Sequence, residues 1–299
     1  MNSASPGITR VAPAKGWISV YADLVKARLV SMVLVTTLTG AYLGWVPGGA
    51  DFVVIFHAIW GTALIAGGAA ALNQFLEREH DARMRRTAGR PLPSGRLQPL
   101  TVMLFGGTCA LAGTIYLAVL VNPLTCVLGG ISFISYLFIY TPLKRLTWWN
   151  TAVGTVPGAL PCLMGWTAMR GTLSTEAWVL FAIMVLWQLP HFCAIAWIYR
   201  EDYARAGYQM VSVVDPSGER AGQQAVANAA ALWLVSLTPT LVHLAGWGYC
   251  VAALGLGAVY LLHAVQFARS LDARRARQLF RTSIAYLALL LIALAVDKQ

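Results

Sequence analysis

The chain has 299 residues, of which 58% are hydrophobic and 11% are charged, and its mean hydropathy is +0.63. Soluble domains carry about 25% charged residues, so this composition excludes an ordinary soluble globule, and the high apolar content excludes a disordered or collagenous chain. It predicts an all-α protein that crosses a membrane several times, and the net charge of +10 then reflects basic cytoplasmic loops rather than binding to nucleic acid.

The predicted elements begin with an N-terminal tail at residues 1–28, which lacks the apolar core of a cleavable signal peptide. A membrane helix needs about 20 mostly apolar residues, and nine later stretches of the chain meet that requirement. These stretches are Leu29–Val46, Phe52–Leu76, Leu100–Leu120, Pro123–Thr141, Trp149–Met169, Ala177–Ile198, Gln223–Val242, Gly246–Val265 and Phe280–Val296. The prediction is a bundle of nine transmembrane helices over residues 29–296, followed by a short external C-terminus at 297–299.

Positive charge alternates between the loops of the predicted bundle. Every lysine and arginine except Arg170 and Lys298 lies in the N-terminal tail or in and beside loops on one side of the membrane. Because basic residues accumulate on the cytoplasmic side, we expect a cytoplasmic N-terminus and an external C-terminus, in the inner membrane of a bacterium. Charged segments follow the second, fourth, sixth and eighth stretches, and this spacing predicts a weak four-helix internal repeat.

A stripe of polar residues continues the second predicted helix at its cytoplasmic end. Asn73, Glu77 and Asp81 are spaced four residues apart, so on a continuous helix they would share one face over about 12 Å. Magnesium binds through one or two carboxylates together with substrate phosphates. The stripe therefore predicts a magnesium site at the cytoplasmic mouth of the bundle.

Arginines follow the stripe directly. Arg83, Arg85, Arg86 and Arg90 fall within eight residues and precede a Pro-Leu-Pro-Ser-Gly turn. The guanidinium group matches phosphate oxygens with two parallel hydrogen bonds, so carboxylates for magnesium beside arginines for phosphate predict a diphosphate site. The alternative is an ordinary charged helix end at the cytoplasmic side of a membrane protein.

Three segments resemble signatures of a known family. Asn73–Gly95, which reads Asn-x3-Glu-x3-Asp-x2-Met-x-Arg-Thr-x2-Arg-Pro-Leu-Pro-Ser-Gly, resembles the first acidic signature of the UbiA-type intramembrane prenyltransferases. Tyr140–Asn150, with Tyr-Thr-Pro-Leu-Lys-Arg, and His191–Met210, with Tyr-Arg-Glu-Asp-Tyr, are similar to the heme O synthase branch of that family. The resemblance extends over about residues 20 to 296.

The resemblance implies transfer of a farnesyl group from farnesyl diphosphate to a vinyl group of protoheme IX (heme B), with addition of water, to give heme O. The implied catalytic residues are Asn73, Glu77, Asp81 and Asp202, and the implied Mg²⁺ ligands among them are Glu77, Asp81 and Asp202. The implied diphosphate-binding residues are Arg85, Arg86, Arg90, Lys144 and Arg200. The implied heme contacts are His191, Tyr140 and Tyr199.

Two positions depart from the family pattern. His80 replaces an aliphatic residue, and Ala206 stands where many relatives carry the second carboxylate of the second signature. Lys144 could instead mark the cytoplasmic side, and His191 could instead hydrogen-bond to a neighbouring helix. Two other functions remain open, a prenyltransferase for a quinone-precursor aromatic acceptor and a small-anion transporter, although a transporter would carry ionisable residues within its spans. An interaction with heme A synthase is expected from pathway logic alone.

Overall fold

The computed structural model describes residues 16–49 and 52–299, and within these residues all regular structure is helical. The α-helices are α1 (Trp17–Leu24), α2 (Ala27–Gly44), α3 (Phe52–Arg83), α4 (Pro99–Leu120), α5 (Pro123–Ile134), α6 (Thr141–Leu146), α7 (Asn150–Arg170), α8 (Thr175–Ile198), α9 (Arg200–Ala206), α10 (Val211–Val214), α11 (Glu219–Val235), α12 (Thr238–Leu241), α13 (Trp247–Ser270) and α14 (Ala273–Val296). A π-helical turn at Ser135–Tyr140 joins α5 to α6. Residues 1–15 of the predicted tail lie outside the described residues, and α1 occupies part of the remainder.

Seven helical segments in the described part of the chain are long and apolar enough to cross a membrane. They are α2, α3, α4, the continuous α5–α6 segment, α8, α13 and α14. The other two predicted stretches are also helical, as α7 and as α11 followed by α12. Two prolines interrupt the apolar sequence of α7, and α11 is only 17 residues long, so these two differ in composition and length from the other seven. The all-α prediction is thereby confirmed, with seven candidate membrane spans among the described residues.

The centre of the bundle is α7, most of whose residues are buried. It packs against α2, α3, α5 and α8. Glycines allow the closest of these approaches, because a β-carbon at Gly40 of α2 would overlap the carbonyl oxygen of Cys162, and one at Gly165 of α7 would overlap the carbonyl oxygen of Thr37. Small residues at helix crossings have this role in membrane proteins, where helices associate through close packing.

The helix that carries the polar stripe is longer than the predicted span. α3 runs without interruption from Phe52 to Arg83, seven residues beyond the predicted end at Leu76. The condition for a single polar face, a continuous helix through Asp81, is therefore satisfied, and α3 extends past the apolar stretch into the charged segment.

A widened turn precedes the second matched segment. Pro142 has no backbone N–H and cannot bond to the carbonyl four residues earlier, and the chain forms a π-helical turn at Ser135–Tyr140 immediately before it. The Thr141 amide and hydroxyl both donate to the carbonyl oxygen of Tyr136, with the hydroxyl at 2.8 Å. Single π-helical turns often occur at functional sites, and this one was not predicted from the sequence.

The charged segment that follows the eighth predicted stretch is mostly helical and not a loop, because α13 and α14 occupy almost all of residues 267–281. Only Leu271 and Asp272 separate the two helices. Leu271 adopts a left-handed conformation with φ of 49°, and the Asp272 carboxylate accepts a hydrogen bond of 2.6 Å from the Arg275 amide, which starts α14. The predicted seventh helix is also too long, since α11 ends at Val235 and the proline-containing α12 follows.

Candidate active site

Three segments that are distant in the sequence meet at one end of the bundle. They are the end of α3, the α6 segment, and the α9 helix with the turn that follows it. The Gln209 amide donates to the Lys144 carbonyl at 2.7 Å, and the Asn150 side chain donates to the Gln209 carbonyl at 3.0 Å, so the second and third matched segments are tied together. The Arg86 amide donates to the Asp202 carboxylate at 3.4 Å, which ties the first segment to the third.

The polar stripe of α3 faces the interior of this junction. Asn73 and Asp81 are completely buried and Glu77 is 4% exposed. Asn73 donates to the hydroxyl of Thr141 at 3.1 Å, which fixes its amide against the start of α6. Carboxylates are almost never fully buried unless they are paired or bind a cation. The solvated-helix-end interpretation of this stripe is therefore wrong.

Each of the three carboxylates has a cationic partner. The Lys144 ammonium lies 2.9 and 3.2 Å from the two Glu77 oxygens, and the Arg90 guanidinium lies 2.6 Å from an Asp81 oxygen. Arg90 reaches back because the Thr87 hydroxyl bonds to the Asp81 carbonyl at 2.8 Å and turns the chain after α3. Asp202 pairs with Arg205, three residues later on α9, a partner that was not predicted from the sequence.

The donor set fits a magnesium ion only with a phosphate substrate. No group of three or more Asp, Glu, His or Cys side chains among the described residues lies close enough together to hold a metal alone. One oxygen of the fully buried Asp81 carboxylate, Oδ1, has no hydrogen-bond partner there, which leaves a buried anionic oxygen suited to a cation. Magnesium commonly takes one or two carboxylates and completes its shell with phosphates and water.

The predicted diphosphate-binding residues do not all lie at the cluster. Arg90 and Lys144 lie at the cluster. The Arg86 guanidinium stands 5.0 Å from the Tyr199 ring centroid, and the Arg86 amide bonds to Asp202. Arg200 instead folds back on α8, with its guanidinium 4.7 Å from the Trp197 ring and bonded to that residue's carbonyl at 3.0 Å. Arg85 is exposed at the surface.

Lys26 is a member of the cluster that was missed from the sequence. Its ammonium donates to the Asn73 side-chain oxygen at 2.7 Å and lies 3.5 Å from the Tyr136 hydroxyl. Burial, followed by the nearby Arg90 guanidinium, lowers the pKa of Lys26 to about 7. Lys26 has φ of 52° at the junction of α1 and α2, which turns its side chain inward. In the sequence it is indistinguishable from the other basic residues of the N-terminal tail.

Aromatic rings enclose the cationic end of the cluster. Tyr140, predicted as a heme contact, lies with its ring centroid 4.6 Å from the Lys144 ammonium and stacks on Tyr136 at 5.8 Å. Tyr208 covers the same ammonium at 5.8 Å and is 2% exposed. Burial, with the nearby Glu77 carboxylate, raises the pKa of Tyr208, so its ring remains a neutral phenol.

The UbiA prenyltransferase family matches residues 33–291 of the chain. The chain belongs to this family. A protoheme IX farnesyltransferase of Solibacter usitatus (strain Ellin6076) is 46% identical over 286 residues, which cover 93% of this chain and 98% of that relative.

Solved structures share the UbiA fold at low sequence identity. A structure of digeranylgeranylglyceryl phosphate synthase has a TM-score of 0.78 at 14% identity and covers 94% of this chain and 98% of that chain. A UbiA homolog from Archaeoglobus fulgidus bound to GPP and Mg²⁺ has a TM-score of 0.66 at 12% identity, with 92% and 99% covered. These similarities establish the fold of the chain.

The two departures from the UbiA pattern meet in the structure. His80 Nδ1 lies 3.0 Å from the carbonyl oxygen of Ala206, and the His80 ring lies 5.4 Å from the Tyr208 ring. Ala206 is completely buried in this contact. The His80–Ala206 contact therefore joins α3 to α9. A carboxylate side chain at position 206 would have to fit beside the His80 imidazole.

His191 of α8 contacts α14. Its Nδ1 atom is 2.7 Å from the Ser283 hydroxyl of α14, and its ring stacks on Trp187 at 5.1 Å. Tyr199, at the end of α8, contacts Arg86. The three predicted heme contacts therefore divide into two tyrosines beside the charged cluster and one histidine between α8 and α14.

Proposed function

We propose that the chain transfers a farnesyl group from farnesyl diphosphate to a vinyl group of protoheme IX and that water adds to the product, giving heme O. The observation that carries the proposal is the meeting of the three matched segments in a buried cluster of paired charges. The relatives' activity supports the identity of the two substrates. The apolar bundle beside the cluster supports an acceptor that approaches within the membrane.

The cations of the cluster supply the driving force for ionisation. Arg90, Lys144 and Lys26 present positive charge to the leaving diphosphate, where negative charge grows as the allylic carbon–oxygen bond breaks. The electron pair of that bond leaves with the diphosphate. Arg86 is placed at the edge of the same cluster beside Asp202. Arg85 is exposed and Arg200 packs on Trp197, so only the family resemblance supports a diphosphate contact for these two residues.

The vinyl group then reacts without a protein nucleophile. Its π electrons form a bond to the farnesyl carbon, the positive charge moves to the carbon next to the porphyrin, and water adds there and releases a proton. The apolar walls of the bundle exclude bulk water from the farnesyl cation before this bond forms. The protein contributes position and electrostatics, and the Tyr140 and Tyr208 rings stand near Lys144.

Magnesium is the proposed cofactor. Glu77 and Asp81 would hold the ion, and Asp202 of α9 would supply a second contact to it. Asn73 would orient the site through its bond to Lys26. When bound, the ion neutralises charge on the diphosphate oxygens. The unpartnered Asp81 oxygen supports this assignment, and Lys144 and Arg90 form ion pairs with the two carboxylates.

The membrane arrangement is also a proposal. The proposed arrangement has nine spans, a weak four-helix repeat, a cytoplasmic N-terminus and an external C-terminus. In this arrangement the cluster lies at the cytoplasmic mouth of the bundle, in the bacterial inner membrane. The helices at all nine predicted stretches and the charge alternation support this arrangement. Contact with heme A synthase would pass the product to the enzyme that oxidises it.

The test uses the full-length chain reconstituted in lipid vesicles with heme B, farnesyl diphosphate and magnesium. We expect heme O, identified by mass, to form with the wild-type chain and to be absent without magnesium. Prenylation of 4-hydroxybenzoate in place of heme would favour the quinone-precursor alternative. Anion uptake without any prenylated product would favour the transporter and contradict the proposal.

A further inference from the structure

His191 is held at the junction of α8 and α14 by a hydrogen bond to one ring nitrogen and by two neighbouring aromatic rings. The Nδ1 atom meets the Ser283 hydroxyl at 2.7 Å, and the ring lies 5.1 Å from Trp187 and 4.9 Å from Phe280, measured between centroids. Ser283 is completely buried, and its carbonyl accepts a 2.7 Å hydrogen bond from the Trp187 indole. None of the described residues hydrogen-bonds to His191 Nε2.

The serine determines which ring nitrogen carries the proton. The Ser283 hydroxyl lies 2.6 Å from the carbonyl oxygen of Phe280, which can only accept. Because the hydroxyl has one proton and gives it to that carbonyl, its oxygen accepts from His191, and Nδ1 must be the donor. The neutral imidazole therefore has its lone pair on Nε2, the nitrogen to which no described residue hydrogen-bonds.

We propose that His191 Nε2 binds the iron of the heme substrate and that Ser283 is the residue that positions it. The inference rests on the proposed function, because heme is its acceptor substrate. Histidines that bind metals almost always donate their other ring N–H to a neighbouring acceptor, as His191 does. A neutral imidazole is also a standard axial ligand of heme iron.

The place of His191 along α8 suits the acceptor. His191 lies eight residues before Tyr199, which contacts Arg86 at the charged cluster, and eight residues of helix correspond to about 12 Å. The iron would thus be bound deeper in the apolar part of the bundle than the diphosphate. An edge of the porphyrin can then face the cluster while its centre is anchored to α8.

The test is a titration of the full-length protein with ferric heme B in the absence of farnesyl diphosphate, followed by optical absorption and electron paramagnetic resonance. We expect a histidine-ligated spectrum in the wild type, its loss in His191→Ala, and its return when free imidazole is added. Ser283→Ala should weaken heme binding by about 10- to 100-fold, the usual effect of removing a ligand's supporting hydrogen bond. Ser283→Thr keeps the hydroxyl and should retain most of the affinity.

His57→Ala is the matched control, because His57 Nδ1 also lies 2.7 Å from a hydroxyl, that of Tyr116, but on α3 and α4. It should leave the heme spectrum unchanged. An unaltered axial-ligand spectrum in folded His191→Ala would overturn the proposal. If that variant does not fold, His191→Gln, which keeps a donor for Ser283, replaces it with the same expected loss of ligation.

Failure of the ligation and failure of the proposed function give different results. Heme O formation by the wild type, together with an unchanged spectrum in the His191 variant, would contradict only the ligation. A histidine-ligated spectrum without any heme O formation would contradict only the farnesyl transfer. Equal wild-type heme affinity and spectrum in Ser283→Ala would contradict the positioning role of the serine.

Discussion

The Lys26 ammonium lies 2.7 Å from the side-chain oxygen of Asn73, and this contact joins the junction of α1 and α2 to the polar face of α3. Lys26 is thus a third cation at the cluster, beside Arg90 and Lys144, which pair with the buried carboxylates. The three come from separate segments of the chain, so a substrate diphosphate would be surrounded from three directions. The first substitution to make is therefore at Lys26.

Lys26→Met removes the charge and keeps the aliphatic stem. We expect turnover at saturating farnesyl diphosphate to fall about 100- to 1,000-fold, because a cation that meets developing negative charge contributes about 3 to 4 kcal/mol to the transition state. The matched control is Arg28→Met, which changes an exposed cation two residues away and should retain activity. Equal activity of the two variants would remove Lys26 from the site.

Diphosphate binding should take up a proton at Lys26 above neutral pH. Because its pKa is lowered to about 7, Lys26 is largely a neutral amine at pH 8. The negative charge of the incoming diphosphate raises that pKa. The charged groups around it are Arg90 and Lys144, which favour the neutral lysine, and Glu77 and Asp81, which favour the ammonium. Affinity should therefore decline as pH rises above 7 and level off below it. Calorimetry at pH 8 in buffers of different ionisation enthalpy should show uptake that Lys26→Met lacks, and identical uptake in both proteins would contradict this.

The fold and the site differ in how far the sequence predicts them. Apolar stretches of about 20 residues predict the helices, but not where they end, because α13 and α14 extend through charged residues beyond the apolar region. Four-residue spacing predicts the shared face of Asn73, Glu77 and Asp81. It does not reveal Lys26 or Tyr208, since their membership depends on contacts between distant segments. The His191–Ser283 contact is equally a product of the tertiary fold.

The Glu77–Lys144 pair allows stability to be separated from catalysis. Glu77→Gln leaves Lys144 as an uncompensated buried charge, which costs about 3 to 5 kcal/mol in comparable pairs, so we expect a lower thermal unfolding midpoint. The double variant Glu77→Gln/Lys144→Met removes both charges and should recover most of that midpoint. Heme O formation, measured on the same protein preparations, should be lost in the single and the double variant. Recovery of activity together with stability would mean that the pair only supports the fold.

Reporter fusions test the membrane topology that the charge alternation of the loops predicts. A reporter fused after Gln299 should be active as an external reporter, because an odd number of spans separates it from the cytoplasmic N-terminus. A reporter inserted between Leu271 and Asp272, where α13 meets α14, should behave as cytoplasmic. A cytoplasmic result at the C-terminus would contradict the nine-span arrangement, including the assignment of α7 and α11 as spans.

The arginines after α3 are the sharpest test of the diphosphate assignment. Arg90 reaches back to the buried Asp81 carboxylate at 2.6 Å, and its forked guanidinium can bind two phosphate oxygens at once. Arg90→Lys keeps the charge but loses the fork. Because interactions that strengthen as the leaving group departs raise the rate and not only the affinity, turnover should fall about 100-fold or more, with little change in heme affinity.

The matched control for Arg90→Lys is Arg274→Lys, in the first turn of α14, where the same exchange should leave turnover unchanged. Both variants are compared at saturating farnesyl diphosphate, so that a loss of substrate affinity does not appear as a loss of rate. A thermal unfolding midpoint close to that of the wild type would show that the Arg90–Asp81 pair survives the exchange. Unchanged turnover in Arg90→Lys under these conditions would reduce the arginine segment to a signal of membrane orientation.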